Sequence, residues 1–178
     1  MKISSIYNNA SKKRPKITVP MNKIELLGQF LTAVGLVLMA VMFLTLYKDL
    51  PDVVPIHFDI AGNANDWASK SSLIFIPILT LVFAVGLTVL ERFPQLYNYN
   101  RVTVTEKNAA KLYAIARTYM VLTKACLTAV FTGMCYFIFR STEGAMPGGF
   151  LPFILICVGI ILASAVVMQV MILKAAKE

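Results

Sequence analysis

Apolar residues run almost unbroken through four stretches of this chain, at about 24–47, 73–90, 118–139 and 150–173. A hydrocarbon core needs about 20 helical residues to cross. The pattern therefore predicts an all-α membrane protein with four transmembrane helices, joined by polar connections near 50–70, 91–108 and 140–149. An even number of spans places both termini on one side.

Composition agrees: 58% of the 178 residues are hydrophobic and only 15% are charged, against roughly 25% charged in soluble domains. The first span is too long for a signal peptide, and no small-residue cleavage site follows it. The charge, net +8, is unevenly placed. Lys2, Lys12, Lys13, Arg14, Lys16 and Lys23 precede span one, Arg92, Arg101, Lys107 and Lys111 lie between spans two and three, and Lys174 and Lys177 follow span four. The opposite side has Lys48, Lys70 and Arg140. The positive-inside rule then puts both termini in the cytoplasm and the 50–70 loop outside. The basic bias reads as topology and anionic-lipid contact rather than nucleic-acid binding, since no binding motif accompanies it. Residues 1–20, with Pro15 and Pro20, read as a basic flexible cytoplasmic tail, and 21–178 as one four-helix domain.

The outer loop concentrates unusual residues: Pro51, Asp52, Pro55, His57, Phe58, Asp59, Gly62, Trp67 and Lys70, including the only histidine and the only tryptophan of the chain. The prolines fix two φ angles and extend the residues before them. Residues 54–59 read as a short strand and 62–65 as a turn, with Ser71 or Ser72 capping span two. The loop should be an ordered, hairpin-like cap. His57 and Asp59, with Asp52 and Asp66, are the residues a divalent cation could use, but one histidine and scattered aspartates fall short of a tetrahedral set, and the other reading is hydrogen bonding within the loop. No metal or other cofactor is assigned. No HExxH or GxSxG pattern is present, so an enzyme ranks last. In the middle loop Thr105 is the expected N-cap of the third helix.

Polar residues also lie inside the spans. Arg117, Lys124, Thr128, Thr132 and Cys135 share a face of the third helix, Glu25, Gln29 and Thr32 a face of the first, and Gln169 lies at similar depth on the fourth. A charge at that depth pairs, snorkels or lines a cavity. One reading is a polar pocket or path around Lys124 and Glu25; the other is an interhelical network with Lys124 snorkelling. Tyr47, Tyr97, Tyr99, Tyr113 and Tyr119 read as interface anchors, Gly28, Gly35, Gly86, Gly133 and Gly159 as helix contacts, and Cys126, Cys135 and Cys157 as packing residues.

The run Leu50-Pro51-Asp52, then Pro55-Ile56-His57-Phe58-Asp59, Gly62 and Asp66-Trp67-Ala68-Ser69-Lys70 resembles the signature of the bacterial membrane family called domain of unknown function 1648. A second stretch, Asn98-Tyr99 through Glu106, Asn108 and Tyr113 to Arg117, resembles that family's cytoplasmic motif. The chain departs from the pattern at Ala68, where relatives carry glycine, and at Asn100, where they carry proline. The same module forms the N-terminal part of SdpI-type bacteriocin immunity proteins. The resemblance implies a multi-pass protein of the bacterial cytoplasmic membrane, with the motif loop outward. The expected function is a non-catalytic binder or sensor of an external peptide or small ligand, immunity-like in kind. The alternative is a small homo-oligomeric transporter or accessory subunit using the polar seam.

Overall fold

The computed structural model describes residues 14–59, 61–99, 102–141 and 148–176. Its four long helices are α1 (Lys23–Thr45), α2 (Phe75–Leu90), α3 (Ala109–Arg140) and α4 (Phe150–Ala175). Between α1 and α2 lie two antiparallel strands, β1 (Val53–Phe58) and β2 (Ala64–Ser69). A 3₁₀ stretch, Lys70–Ile74, leads β2 into α2, so the second span is continuous from Lys70 to Leu90. All four spans are long and apolar enough to cross a membrane. The protein is a multi-pass membrane helix bundle with a small sheet in its first connection.

Local sequence accounts for the helix ends. Asn22 starts α1: its side chain accepts from the Glu25 N–H while the Glu25 carboxylate accepts from the Asn22 N–H, each at 2.9 Å. This reciprocal arrangement satisfies two orphan donors at once. Ahead of α3, the Asn108 N–H reaches Thr105 Oγ1 (3.4 Å) and the Thr105 N–H reaches Asn108 Oδ1 (2.8 Å); these bonds close the turn that leads into the helix, and Asn108, not the expected Thr105, stands at its N-cap. Before span two, Ser69, rather than Ser71 or Ser72, is the cap; its hydroxyl accepts from the Ser71 N–H. Gly149, at φ +96, supplies the left-handed residue from which α4 starts.

Helix α3 is the central element, packing extensively on α1 and α4 and less on α2. Its 32 residues make it about 48 Å long, well beyond the roughly 30 Å hydrocarbon thickness. The surplus builds a small core at each end. At one end Leu50 and Val54 of the connection pack with Leu73, Ile138 and Phe139. At the other, Tyr99, Ala109, Leu112, Tyr113, Ile172 and Ala175 pack together. We call these the hairpin face and the terminal face. Tyr99 and Tyr113 are therefore core residues with rings 5.8 Å apart, not interface anchors.

Between the ends, lipid supplies no hydrophobic drive for helix association, so close approach through small residues does that work. A Cβ on Gly28 would lie 2.5 Å from Val121 Cγ1, one on Gly35 2.8 Å from Thr128 Cγ2, and one on Gly133 2.2 Å from the Phe153 ring. Gly86 and Gly159 differ: a Cβ there meets nothing within 4 Å, so they are not helix contacts. The three cysteines are free thiols, Cys135 and Cys157 buried and Cys126 half-buried.

The tail changes most from expectation. Residues 1–13 lie outside the described residues, as do Asn100, Arg101 and Lys177. Residues 14–20 are not a loose tail. Tyr113 donates to the Pro15 carbonyl (2.9 Å), and Arg117 donates to those of Val19 and Pro20 (both 2.7 Å). Arg14 reaches the Gln95 and Tyr97 carbonyls and lies over the Tyr99 ring. The segment is a strap held across the terminal face.

The glycine contrast yields a prediction. Gly28→Ala should destabilise the bundle by about 1–3 kcal/mol through forced separation of α1 and α3. Gly86→Ala should be neutral or stabilising, because an open helical glycine only costs chain entropy. Unfolding midpoints in detergent check both; equal shifts would count against close α1–α3 packing.

Candidate functional site

The hairpin stands on a buried base. Val54 is fully buried and sits opposite Ala68, while Pro55 faces Trp67 and His57 faces Asp66. The ladder is irregular between Pro55 and Phe58, where the missing proline N–H and an extra residue re-aim the side chains. Lys70 locks the base: its ammonium donates to the Leu50 carbonyl (3.0 Å), lies 3.4 Å from the Asp52 carboxylate and sits over the Tyr47 ring, and its N–H bonds Asp52 O (2.9 Å).

The tip closes through Asp59, Gly62 and Asn63. Gly62 adopts φ +87, and the Asp59 carboxylate accepts from the Asn63 N–H (2.9 Å) and side-chain amide (3.3 Å). Those bonds, the backbone one foremost, hold the Asp59 carboxyl below its ordinary value of 3.8. His57 Nδ1 donates to Asn65 Oδ1, which leaves Nε2 as the ring's other polar atom. His57 and Asp59 thus turn to different amide partners rather than to one common point. Asp52, Asp66, Trp67, Val53 and Ile56 are exposed. The result is a fixed backbone presenting one imidazole, carboxylates and an indole.

At the terminal face the intramembrane charges resolve into two adjacent networks. In the first, Glu25, with no exposed surface, accepts from Arg117 Nε (3.0 Å) and Nη2 (2.9 Å) and from the Thr118 hydroxyl (3.0 Å). The fork-to-fork geometry is the strong form of this pair. In the second, Lys124, 1% exposed, lies 2.8 Å from Glu91 Oε1, 2.7 Å from Gln29 Oε1 and 2.8 Å from Thr88 Oγ1. The Gln29 amide donates to the other Glu91 oxygen at 2.6 Å. The ammonium donates to Gln29 and Thr88, while Glu91 Oε1 opposes its charge as an ion pair without accepting a hydrogen bond.

Two expectations are corrected. Lys124 does not snorkel, and Glu25 is not its partner; Lys124 pairs with Glu91, and Glu25 with Arg117. Glu91, at the C-terminal end of α2, and Thr88 escaped the sequence reading. The available signal was that Glu91 is the carboxylate that directly follows an apolar span on the side where Lys124 and Gln29 lie. Gln169 is half-buried on α4, whereas the Lys124 network is drawn from α1, α2 and α3. Of the second motif, Tyr99, Tyr113 and Arg117 converge on the strap, Asn108 stands at the N-cap position of α3 without a side-chain cap bond, and Asn98 and Glu106 are exposed. Burial, with the Glu91 charge nearby, pushes the Tyr97 phenol up to about 12, and its hydroxyl donates to the Leu90 carbonyl (2.9 Å).

Residues 34–82 match the family model described as Domain of unknown function (DUF1648). The matched stretch runs from mid-α1 through the whole hairpin into α2. A protein of Archaeoglobus fulgidus described as uncharacterized is 28% identical, the match covering 67% of this chain and 75% of that one. No solved structure matches the chain.

Two predictions follow from this geometry. Lys124→Met leaves Glu91 as a buried unpaired carboxylate and should destabilise by about 3–5 kcal/mol. Adding Glu91→Gln should recover a large part of that loss; strictly additive losses in the double-mutant cycle would deny the pairing. At the hairpin tip, Asp59 has a lowered folded pKa, so its stabilisation is fully present above its ordinary value of 3.8 and is lost as pH falls through the lowered folded value. Asp59→Asn should abolish any Trp67 emission change in that acid window, as read by fluorescence titration.

Proposed function

We propose that this chain, which carries the DUF1648 segment at residues 34–82, is a non-catalytic membrane receptor that binds an external cationic amphipathic peptide through the hairpin. The observation that carries this reading is the contrast between the hairpin's buried, hydrogen-bonded base and its exposed His57, Asp66 and Trp67. A preformed backbone lowers the ordering cost of binding. The 48–70 segment holds Asp49, Asp52, Asp59 and Asp66 against Lys48 and Lys70, so its charge complements a cationic ligand. Exposed Val53, Ile56 and Trp67 complement that ligand's apolar side.

In this reading the hairpin face is outward and the terminal face cytoplasmic, because twelve of the seventeen Lys and Arg residues flank the spans on the terminal side. The membrane is the cytoplasmic membrane of a prokaryotic cell, and sequestering a membrane-active peptide makes the role immunity-like. The polar seam offers less to a transport path. Lys124 is buried and held by Gln29, Thr88 and the Glu91 ion pair, and further along α3 the approach of Thr128 to Gly35 closes the helix contact.

Trp67, the sole tryptophan, is a built-in probe. Protein in vesicles should show a saturable Trp67 emission shift when titrated with a tryptophan-free cationic amphipathic peptide. His57→Ala and Asp66→Asn should each weaken it by about tenfold, equivalent to 1.4 kcal/mol. A susceptible bacterium expressing the wild type should survive such a peptide better than one expressing His57→Ala at matched levels. Emission that changes only in proportion to peptide partitioning into protein-free vesicles would sink the proposal.

A further inference from the structure

The buried ion pairs of the terminal face leave its surface cations unopposed. Its two membrane-edge carboxylates, Glu25 and Glu91, are buried and neutralised by Arg117 and Lys124. They cannot offset the cations left at the surface. Lys16, Lys23 and Arg92 are exposed, and none of them has an ion-pair or hydrogen-bond partner for its side chain among the described residues.

These three cations belong to one region. Arg14 fastens the start of the strap to the Gln95 and Tyr97 carbonyls, and Val19 packs against the core that contains Tyr99. The end of the strap runs into α1, where Gln29 bonds Glu91, the neighbour of Arg92. The strap and the corner after α2 are therefore side by side, at the level where the first and second spans end.

Exposed apolar side chains alternate with the cations. Ile17 lies beside Lys16, Met21 precedes Lys23 by two residues, and Phe93 follows Arg92, with Leu96 73% exposed one turn on. Exposed apolar residues interleaved with unpaired cations at a span boundary suit the headgroup layer, where acyl chains and phosphates are both within reach. The ordered strap presents them without paying for folding at the moment of contact.

We infer that the strap and the α2 corner, through Lys16, Ile17, Lys23, Arg92, Phe93 and Leu96, form a binding site for anionic phospholipid headgroups of the protein's own membrane. The inference rests on the membrane-spanning fold and is independent of what the hairpin binds.

The test uses the full chain in phosphatidylcholine nanodiscs doped with spin-labelled phosphatidylglycerol or spin-labelled phosphatidylcholine. The immobilised fraction of each label gives the selectivity of the protein surface. Wild type should prefer phosphatidylglycerol by about fivefold, the effect expected of one well-placed basic side chain at an anionic surface. The triple variant K16Q/K23Q/R92Q should fall close to equal preference, and single Arg92→Gln should fall part of the way. All three positions are exposed and unpaired, so the unfolding midpoint should not move. The control K48Q/R140Q, on the hairpin face, should keep the wild-type preference. Equal preference in wild type, undiminished preference in the triple variant, or an equal loss in the control would each overturn the proposal. Displacement of the labelled lipid by millimolar soluble glycerol phosphate, beyond the effect of the same ionic strength of chloride, would also overturn it by assigning the cations to a soluble anion.

Discussion

Two carboxylates and two cations, buried at one end of a helix bundle, determine how the rest of the chain can pack. Glu25 on α1 and Glu91 at the end of α2 would be prohibitive as isolated charges near hydrocarbon. Helix α3 carries both answers, Arg117 and Lys124, seven residues and therefore about 10 Å apart on one face. The requirement to satisfy both carboxylates at once fixes the axial position of α1 and of α2 against α3. Dispersion and small-residue packing at Gly28 and Gly35 then bring the backbones close. In a medium that gives helices little reason to associate, the directional pairs choose the register and the glycines permit it.

The two faces are built by opposite means. At the hairpin face a connection folds back on the bundle, burying Leu50 and Val54 and turning its polar side chains outward. The prolines and Gly62 limit the conformations open to that loop, and Lys70 ties its two ends together. At the terminal face, Arg117 has a double role: it neutralises Glu25 and grips the carbonyls of Val19 and Pro20. The same guanidinium thus joins the interior of the bundle to the strap that covers it. A lysine there could supply the charge but not the fork that serves both tasks.

This division bears on function. Side chains at the terminal face are spent on one another inside and on strap and loop carbonyls outside, so that end is a structural lock with a cationic rim. The hairpin is tied by bonds within itself and still exposes His57, Asp66 and Trp67 to solvent, and it lies at the centre of the DUF1648 match. The proposed binding role therefore rests on the end of the molecule whose polar and aromatic side chains face solvent.

The sequence alone determined the four spans, because hydrocarbon thickness and backbone hydrogen bonding leave a run of about 20 apolar residues one stable form. It also determined that the first connection is shaped, since Pro51, Pro55 and Gly62 restrict the backbone locally. Only the tertiary structure decided who pairs with whom. Glu25 meets Arg117, 92 residues away, and Lys124 meets Glu91, because helix contact order and axial offset are set by packing and leave no periodic trace in the chain. For the same reason Tyr99 and Tyr113 could not be told from interface aromatics, nor Gly159 from a helix contact, nor residues 14–20 from a loose tail. Each of those distinctions depends on a neighbour distant in sequence, and local pattern records only what the local backbone and solvent require.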